Sequence, residues 1–272
     1  MLGALTLPQN YQRRNAIRTF LGHLKMDVNV IKVYFLLDNY VMGNESLYDT
    51  STKDILYLNS SFSGRANRFG EKLYLWFKLS TYIHPNARYV GKLDDDVIFC
   101  LPHIYTNILQ ADRGSGLVYY GWQHNRNESH SYEWRTVKNS IQDYRMDEFF
   151  VVIGRKLIDR IIGRPYVACA PDICNSSNTL PQVSNTLYDW NFGGLSLGHW
   201  LSIYHDVRFH PVNHLFIHIT AITRIHNYSE RNSSFTYEQL KQPFCADHLA
   251  YHKAHHSEMM LFAKDLKSVP TP

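Results

Sequence analysis

The sequence contains no long apolar run, no paired-cysteine motif and no cluster of basic residues. Without 18 consecutive apolar residues, it offers no candidate for a membrane-spanning helix. Its basic residues are scattered, so the net charge of +4 gives little support to nucleic-acid binding. Internal repeats, low-complexity tracts and linkers are also lacking. We therefore expect a single domain over residues 1–272.

The sequence has only four cysteines, and no two of them form a CxxC pair. A zinc knuckle or a thioredoxin-like redox motif is therefore not expected. Four cysteines suit either a reducing compartment or a protein with one or two disulfides. They are Cys100, Cys169, Cys174 and Cys245.

Acceptor sequons for N-glycosylation are numerous and favour a secretory lumen. Each Asn-x-Ser/Thr triplet alone is weak evidence, but six in one chain together indicate a protein of the secretory pathway. The first 14 residues are too short for a signal peptide or a membrane anchor, so we expect the targeting segment to be missing from this chain. The six acceptors are Asn44, Asn59, Asn127, Asn175, Asn227 and Asn232.

Strand and helix patterns alternate over the first 125 residues. Continuous apolar runs predict strands, and apolar residues three and four apart predict helices. The strands are expected at residues 28–40, 55–58, 87–93 and 116–123, and the helices at residues 15–24, 68–84 and 102–111. This alternation is typical of an α/β fold with a mostly parallel central sheet and helices on both faces.

The second half of the chain is harder to divide into elements. Residues 122–150 are polar and aromatic and are expected to form loops and a short hairpin, and residues 164–190 are expected to form loops. Between them, residues 149–162 predict a strand, a glycine turn and a helix. A further amphipathic helix is expected after Gly193 and Gly194.

Three consecutive aspartates, Asp94 to Asp96, follow the apolar strand predicted at residues 87–93. Ligands of open parallel sheets bind outside the carboxyl ends of the strands. In an extended segment, Asp94 and Asp96 face one side and Asp95 the other. Two converging carboxylates suit a hard cation such as Mg²⁺ or Mn²⁺, which relieves their repulsion and can bridge to a diphosphate. A solvated acidic turn is the alternative.

An Asp-x-Asp pair at a strand end also occurs in phosphoaspartate hydrolases, where the first aspartate is the nucleophile and the second a general acid. In that class the motif follows the first strand of the fold. Here at least two strands precede it, and no downstream Gly-Asp-x-x-x-Asp pair is present. The sequence therefore favours the nucleotide-sugar interpretation.

Several segments together resemble glycosyltransferase family 31, the inverting β-1,3-galactosyl- and N-acetylglucosaminyltransferases of the GT-A fold. The resemblance covers about residues 11–262. It is carried by RRNAIRTFLG at residues 13–22, the segment around Asp54-Ile55-Leu56 and Lys72, YVGKLDDDVIFC at residues 89–100, YDWNFGGLSL at residues 188–197, and the segment from Cys245 through His252 to Met259.

The resemblance implies a donor site for a uridine-diphosphate (UDP) sugar. The arginine segment lies beside the nucleotide in the family, which makes Arg14 and Arg18 candidates for diphosphate or uridine contact; solvated arginines on a helix surface are the alternative. Lys92 belongs to the matching motif and is implied to be part of the donor site. Asp94 and Asp95 are implied to contact the nucleotide sugar.

The resemblance also implies a Mn²⁺ ion and a general base. Asp96 would chelate Mn²⁺ with His252 as a further ligand, although a surface position for this histidine is the alternative. Asp189 would take the proton from an acceptor hydroxyl, which then inverts the anomeric centre. The activity implied is transfer of galactose or an N-acetylhexosamine to a glycan acceptor on a glycoprotein or glycolipid, at the lumenal face of the Golgi membrane.

Some family positions are changed in this chain. Asn59 and Gly64 stand where the family has acidic residues, Cys100 replaces an asparagine and Tyr188 replaces a glutamate. These departures leave open a non-catalytic, glycan-binding relative that retains the fold.

Overall fold

A computed structural model describes residues 1–23, 31–38, 53–60, 69–123, 146–167, 186–188, 193–212, 216–218, 250–252 and 259–260. Its main sheet has seven strands, namely β1 (Leu2–Leu5), β2 (Val33–Asp38), β3 (Ile55–Leu58), β4 (Tyr89–Asp94), β6 (Val118–Gln123), β7 (Met146–Gly154) and β10 (Arg208–Pro211). Their order across the sheet is β10-β6-β7-β4-β1-β2-β3. Neighbouring strands are parallel except where β7 pairs with β4 and β6.

Two smaller sheets accompany the main one. A three-stranded sheet joins β11 (Phe216–His218), β12 (Ala250–His252) and β5 (Val97–Phe99), and a two-stranded sheet joins β8 (Tyr166–Val167) to β9 (Leu187–Tyr188). Because β5 directly follows β4 and the intervening turn, the three-stranded sheet brings residues near the end of the chain to the aspartate cluster.

Helices cover both faces of the main sheet, as the sequence predicts. A 3₁₀ turn (Pro8–Asn10) leads into α1 (Tyr11–His23), which packs with α3 (Leu101–Asp112) on one face. The other face is covered by α2 (Phe69–Ile83), α4 (Arg155–Ile162) and α5 (Gly193–Leu201). The helix α2 buries Leu73, Trp76 and Phe77, which are spaced as its amphipathic pattern requires. The fold is therefore mixed α/β, with a mostly parallel sheet between two helical layers.

The central strand β1 is not apparent from the sequence. Its four residues, Leu2–Leu5, pair with β2 on one side and β4 on the other. Leu2 and Ala4 belong to the core beneath α1, whereas Gly3 lies under the indole of Trp76 on the opposite face. A strand of this length, containing a glycine, lacks the long apolar run by which a buried parallel strand is recognised.

The second half of the chain departs from expectation in two places. Residues 146–148 were expected to lie in loops or a short hairpin, but they begin the nine-residue strand β7, which is inserted between β4 and β6. Two charged residues, Asp147 and Glu148, interrupt the apolar pattern there, so the sequence predicts this strand only from residue 149. Within 164–190, the described residues include the short strands β8 and β9, while residues 168–185 lie outside the described part.

Cys100, the only cysteine among the described residues, is disulfide-bonded. Of the two alternatives that the cysteine count left open, the structure therefore has the one with a disulfide. Asn59, the one sequon asparagine within the described residues, is exposed. No helix in the described ranges is long and apolar enough to span a bilayer.

Substituting Gly3 by alanine should destabilise the fold. An added Cβ would lie 2.5 Å from Cε2 of Trp76 and 2.6 Å from Cδ1 of Leu36, in the centre of the sheet. Overpacking of this kind costs about 1–3 kcal/mol, measurable by urea denaturation. Gly22→Ala is the control, because nothing lies within 4 Å of its added Cβ in helix α1. Equal stability of the two variants would contradict this packing.

Candidate functional site

The aspartate cluster lies in the turn between β4 and β5. Asp94 is the last residue of β4, and Val97 is the first residue of β5. Because β1, β2, β3 and β4 run parallel, the cluster shares one edge of the sheet with Thr6 after β1 and Asp38 at the end of β2. This is the edge at which open α/β sheets bind ligands.

Asp94 pairs with a buried lysine. Lys92, two residues earlier on β4, donates from Nζ to Oδ1 of Asp94 over 2.5 Å, and its side chain is only 1% exposed. The Lys92 ammonium also lies 5.8 Å from the centre of the Phe69 ring, and Lys72 lies at the same distance from that ring. Lys72 in turn pairs with Asp38 at 2.6 Å. Two lysine–aspartate pairs, at the ends of β4 and β2 on either side of β1, thus have their ammonium groups near one aromatic ring.

Asp95 points into the protein. Its Oδ2 accepts hydrogen bonds from the hydroxyl of Thr6 at 2.5 Å and from Nδ2 of Asn10 at 2.8 Å, and its Oδ1 accepts one from Arg13 at 2.9 Å. The carboxylate side chain is 7% exposed. Both oxygens are therefore engaged by the segment from β1 to α1. The donor contact that the resemblance implies for Asp95 remains untested, but here this carboxylate anchors the turn.

Among the described carboxyl groups, Asp96 has a strongly raised pKa. Burial, followed by repulsion from Asp94 and Asp95, raises its pKa to about 6, while the positive charge of Arg13 acts in the opposite direction. A nearby positive charge would stabilise the ionised form of a carboxylate in this environment. Asp96 is thus the member of the cluster best suited to accept a cation.

The backbone of His252 lies beside the aspartate turn. Strand β12 pairs antiparallel with β5, so that His252 stands opposite Val97, the residue that follows Asp96. On its other side, His252 is in register with His218 of β11. Asp96 and residue 252 are thus neighbours through the strand pairing, although 156 positions apart in the chain.

The two arginines singled out in the sequence are both committed to protein groups. Arg14 is 2% exposed and donates to the carbonyl oxygens of Leu7 at 2.6 Å and Pro8 at 2.9 Å. It is not a solvated surface residue. Arg18 makes a bidentate pair with Asp54 at 2.8 and 3.0 Å, which ties α1 to the segment before β3.

Asp189 lies outside the described residues, between β9 and α5, so its role as general base remains a prediction. Among the described side chains, no three histidine, cysteine, aspartate or glutamate residues are grouped so as to hold a metal ion. The residues of the turn nevertheless suit Mn²⁺ in chemistry. Asp94 and Asp96 supply hard oxygen donors, and the raised pKa of Asp96 reports a negative charge that a cation would stabilise.

Sequence reasoning missed three residues of this site, namely Thr6, Asn10 and Arg13. They precede or begin the helix that was recognised, and they contact the turn only because β1 lies next to β4. Arg13 belongs to the arginine segment that carries the resemblance. Its contact with Asp95 could not be predicted, because that contact depends on the position of β1, a strand that the sequence did not indicate.

No protein-family model matches the chain, and no curated protein matches it. Solved structures give weak likenesses, with TM-scores below 0.5. The galactosyltransferase LgtC, in complex with donor and acceptor sugar analogs, is 12% identical over 99% of this chain and 98% of its own, with a TM-score of 0.47. Mouse xyloside xylosyltransferase 1 in its apo form is 12% identical over 92% and 95%, with a TM-score of 0.43.

A third structure is a glycosyltransferase involved in glycosylation of the major capsid of PBCV-1. It is 11% identical over 97% of this chain and 98% of its own, with a TM-score of 0.43. Likenesses of this size assign neither a family nor an activity to the chain. Membership of glycosyltransferase family 31 therefore stays a prediction, and the functional argument rests on the site.

Asp96→Asn should stabilise the metal-free protein at high pH. The pKa of Asp96 in the folded protein, about 6, lies above the usual aspartate value near 4, so the charged form opposes folding. The wild type therefore loses stability as the pH rises from about 4, the usual pKa, to about 6, the pKa in the folded protein. In the presence of a chelator, we expect the variant to be more stable by about 1–3 kcal/mol at pH 8 and equal at pH 4.

Urea denaturation at a series of pH values measures this difference. Asp159→Asn on α4 is the control, because the Asp159 side chain is 52% exposed and surface substitutions change stability by about 0.5 kcal/mol or less. A stability difference for Asp96→Asn that does not change with pH would contradict the proposed environment of this carboxylate.

Proposed function

We propose that the chain is a glycosyltransferase that transfers a hexose from a UDP-sugar to a hydroxyl of a glycan acceptor. The observation that carries the proposal is the Asp94–Asp96 turn at the ligand-binding edge of a mostly parallel sheet, with a half-buried carboxylate whose pKa is raised to about 6. A nucleoside diphosphate bound with a divalent cation has the charges that suit this turn. The cation offsets the clustered carboxylates, and the diphosphate offsets the cation.

Asp96 and His252 are the residues that we propose to hold Mn²⁺. When bound, the ion would supply positive charge to the diphosphate as it leaves the sugar. The strand pairing supports this choice, since it sets residue 252 opposite the residue that follows Asp96. Lys92 contributes differently: its ammonium donates a hydrogen bond to the Asp94 carboxylate and orients it at the end of β4.

Asp189 is the proposed general base. It would accept the proton of the attacking acceptor hydroxyl, which approaches from the face opposite the leaving diphosphate. Inversion of the sugar and a β-1,3 linkage are proposed from the same sequence resemblance. The donor sugar is proposed to be galactose or an N-acetylhexosamine.

The setting proposed for the reaction is the Golgi lumen, with the acceptor glycan on a glycoprotein or glycolipid. The disulfide at Cys100 and the exposed sequon at Asn59 support an oxidising, glycosylating compartment.

A glycan-binding protein without catalysis is the second candidate. It is favoured by the changed positions at Cys100 and Tyr188 and by the engagement of both Asp95 oxygens with the protein itself. A phosphoaspartate hydrolase is less well supported, because Asp94 ends β4, which follows three other strands among the described residues.

Release of UDP from a panel of UDP-sugars, with and without Mn²⁺, tests the proposal. We expect at least one UDP-hexose to be hydrolysed or transferred, and only with the cation present. Phosphatase activity on a generic ester, without release from any UDP-sugar, would instead favour the hydrolase. Binding of glycans without any UDP release would favour the non-catalytic protein.

Two substitutions separate the proposed roles. Asp189→Asn should abolish transfer while sparing UDP binding, because a base acts only on the acceptor side. Asp96→Ala should lose the Mn²⁺-dependent part of UDP affinity, measured by calorimetry. Retained turnover in the first variant, or unchanged affinity in the second, would remove that residue from its role; Asp159→Ala is the matched control for a lost carboxylate.

A further inference from the structure

A positively charged side chain beside the aspartate turn could bind the diphosphate together with the metal ion, and the candidate side chains differ in how far the protein already occupies their donors. Lys92 is buried and bonded to Asp94. Arg14 is buried and donates to backbone carbonyls. Arg18 forms its bidentate pair with Asp54, and its side chain is 21% exposed. Each of these cations is already committed to the protein.

Arg13 differs from the other three. Its side chain is 34% exposed, and one terminal nitrogen donates to Oδ1 of Asp95 over 2.9 Å. Within the described part of the chain, its remaining N–H groups have no hydrogen-bond acceptor. Arg13 therefore combines proximity to the turn with donors that remain available.

We propose that Arg13 contacts the diphosphate of the donor and that Asp95 is the residue that positions it. This inference rests on the proposed function, and it moves the phosphate contact from Arg14 and Arg18 to their neighbour. Asp95 acts through Arg13 and does not itself touch the donor.

The geometry of a guanidinium explains how one residue serves both groups. Arginine presents five N–H donors in a rigid planar fork, which can bind one carboxylate along one edge and a phosphate along another. Asp95 is fixed by Thr6 and Asn10 as well, so the ion pair holds the fork in place before a ligand arrives. A group oriented in advance loses less entropy on binding.

Calorimetric titration of the whole chain with UDP and with uridine, each in the presence of Mn²⁺, tests the assignment. Arg13→Gln should lower UDP affinity by about 10- to 100-fold, the range of one charged hydrogen-bonding contact. Uridine affinity should not change, because uridine has no phosphate. Arg13→Lys keeps the charge but not the fork, and its loss should be intermediate.

Arg160→Gln is the matched control. Arg160 is also 34% exposed and also paired with an aspartate, Asp206, at 2.6 Å, but it lies on α4, away from the turn. We expect its UDP affinity to equal that of the wild type. Equal UDP affinity of Arg13→Gln and the wild type would overturn the assignment, as would an equal loss of UDP and uridine binding.

A double-mutant cycle tests the positioning role of Asp95. Asp95→Asn should weaken UDP binding when Arg13 is present and should have no further effect in the Arg13→Gln background. Independent, additive losses would contradict a role of Asp95 that acts through Arg13. Mn²⁺ titrations of the same variants without nucleotide should show no loss of affinity in Arg13→Gln, because removing a positive charge near Asp96 does not disfavour a cation.

Chemical modification of the wild type avoids any dependence on variant folding. Phenylglyoxal reacts with accessible arginines, and peptide mapping reports each site. UDP with Mn²⁺ should protect Arg13 and leave Arg160 reactive, whereas equal modification of Arg13 with and without UDP would overturn the inference. If the wild type binds no UDP in either experiment, the proposed function fails as well; UDP binding that is indifferent to Arg13 leaves that function standing and rejects this inference alone.

Discussion

Mutual repulsion of three consecutive carboxylates is the constraint around which the site is organised. Unit charges a few ångströms apart cost several kcal/mol in a partly buried environment, so each aspartate requires its own surroundings. Asp94 is neutralised by Lys92 and Asp95 by Arg13, together with two neutral donors. Asp96 retains the unfavourable environment, which its raised pKa reports. The charge imbalance is therefore concentrated on one residue of the turn.

This division of charge depends on the strand order of the main sheet. Strand β1 lies between β2 and β4, and the segment that follows it carries Thr6, Asn10 and Arg13 to Asp95. The buried guanidinium of Arg14 holds the same segment through two of its carbonyls. The start of the chain and the aspartate turn thus form one polar unit at the ligand-binding edge.

Much of the fold could be predicted from periodicity. The amphipathic helix α2, the apolar strand β4 and the helix α3 each bury the faces that their sequences indicate. The short strands β1 and β12 could not be predicted in this way, because each exists only through its pairing with distant residues. The apolar part of β7 was predicted, but its polar first residues were not.

The site could be predicted as a location but not as a set of contacts. Three aspartates after an apolar strand indicated where a ligand would lie, and the structure keeps them at the carboxyl end of β4. Alternation suggested that Asp95 differs from its neighbours, and it is the one turned inward. The sequence could not distinguish Arg13 from Arg14, however. Adjacent residues of one helix point in different directions, and only the packing of α1 decides which of them is buried.

The central claim is that the turn between β4 and β5 holds a divalent cation and a diphosphate together. Anomalous scattering at the manganese edge, from crystals grown with UDP and Mn²⁺, tests it most directly. The account predicts an anomalous peak in contact with the Asp96 carboxylate and with the phosphate oxygens of UDP. Bound UDP with its manganese peak elsewhere, or with no metal at the turn, would contradict it.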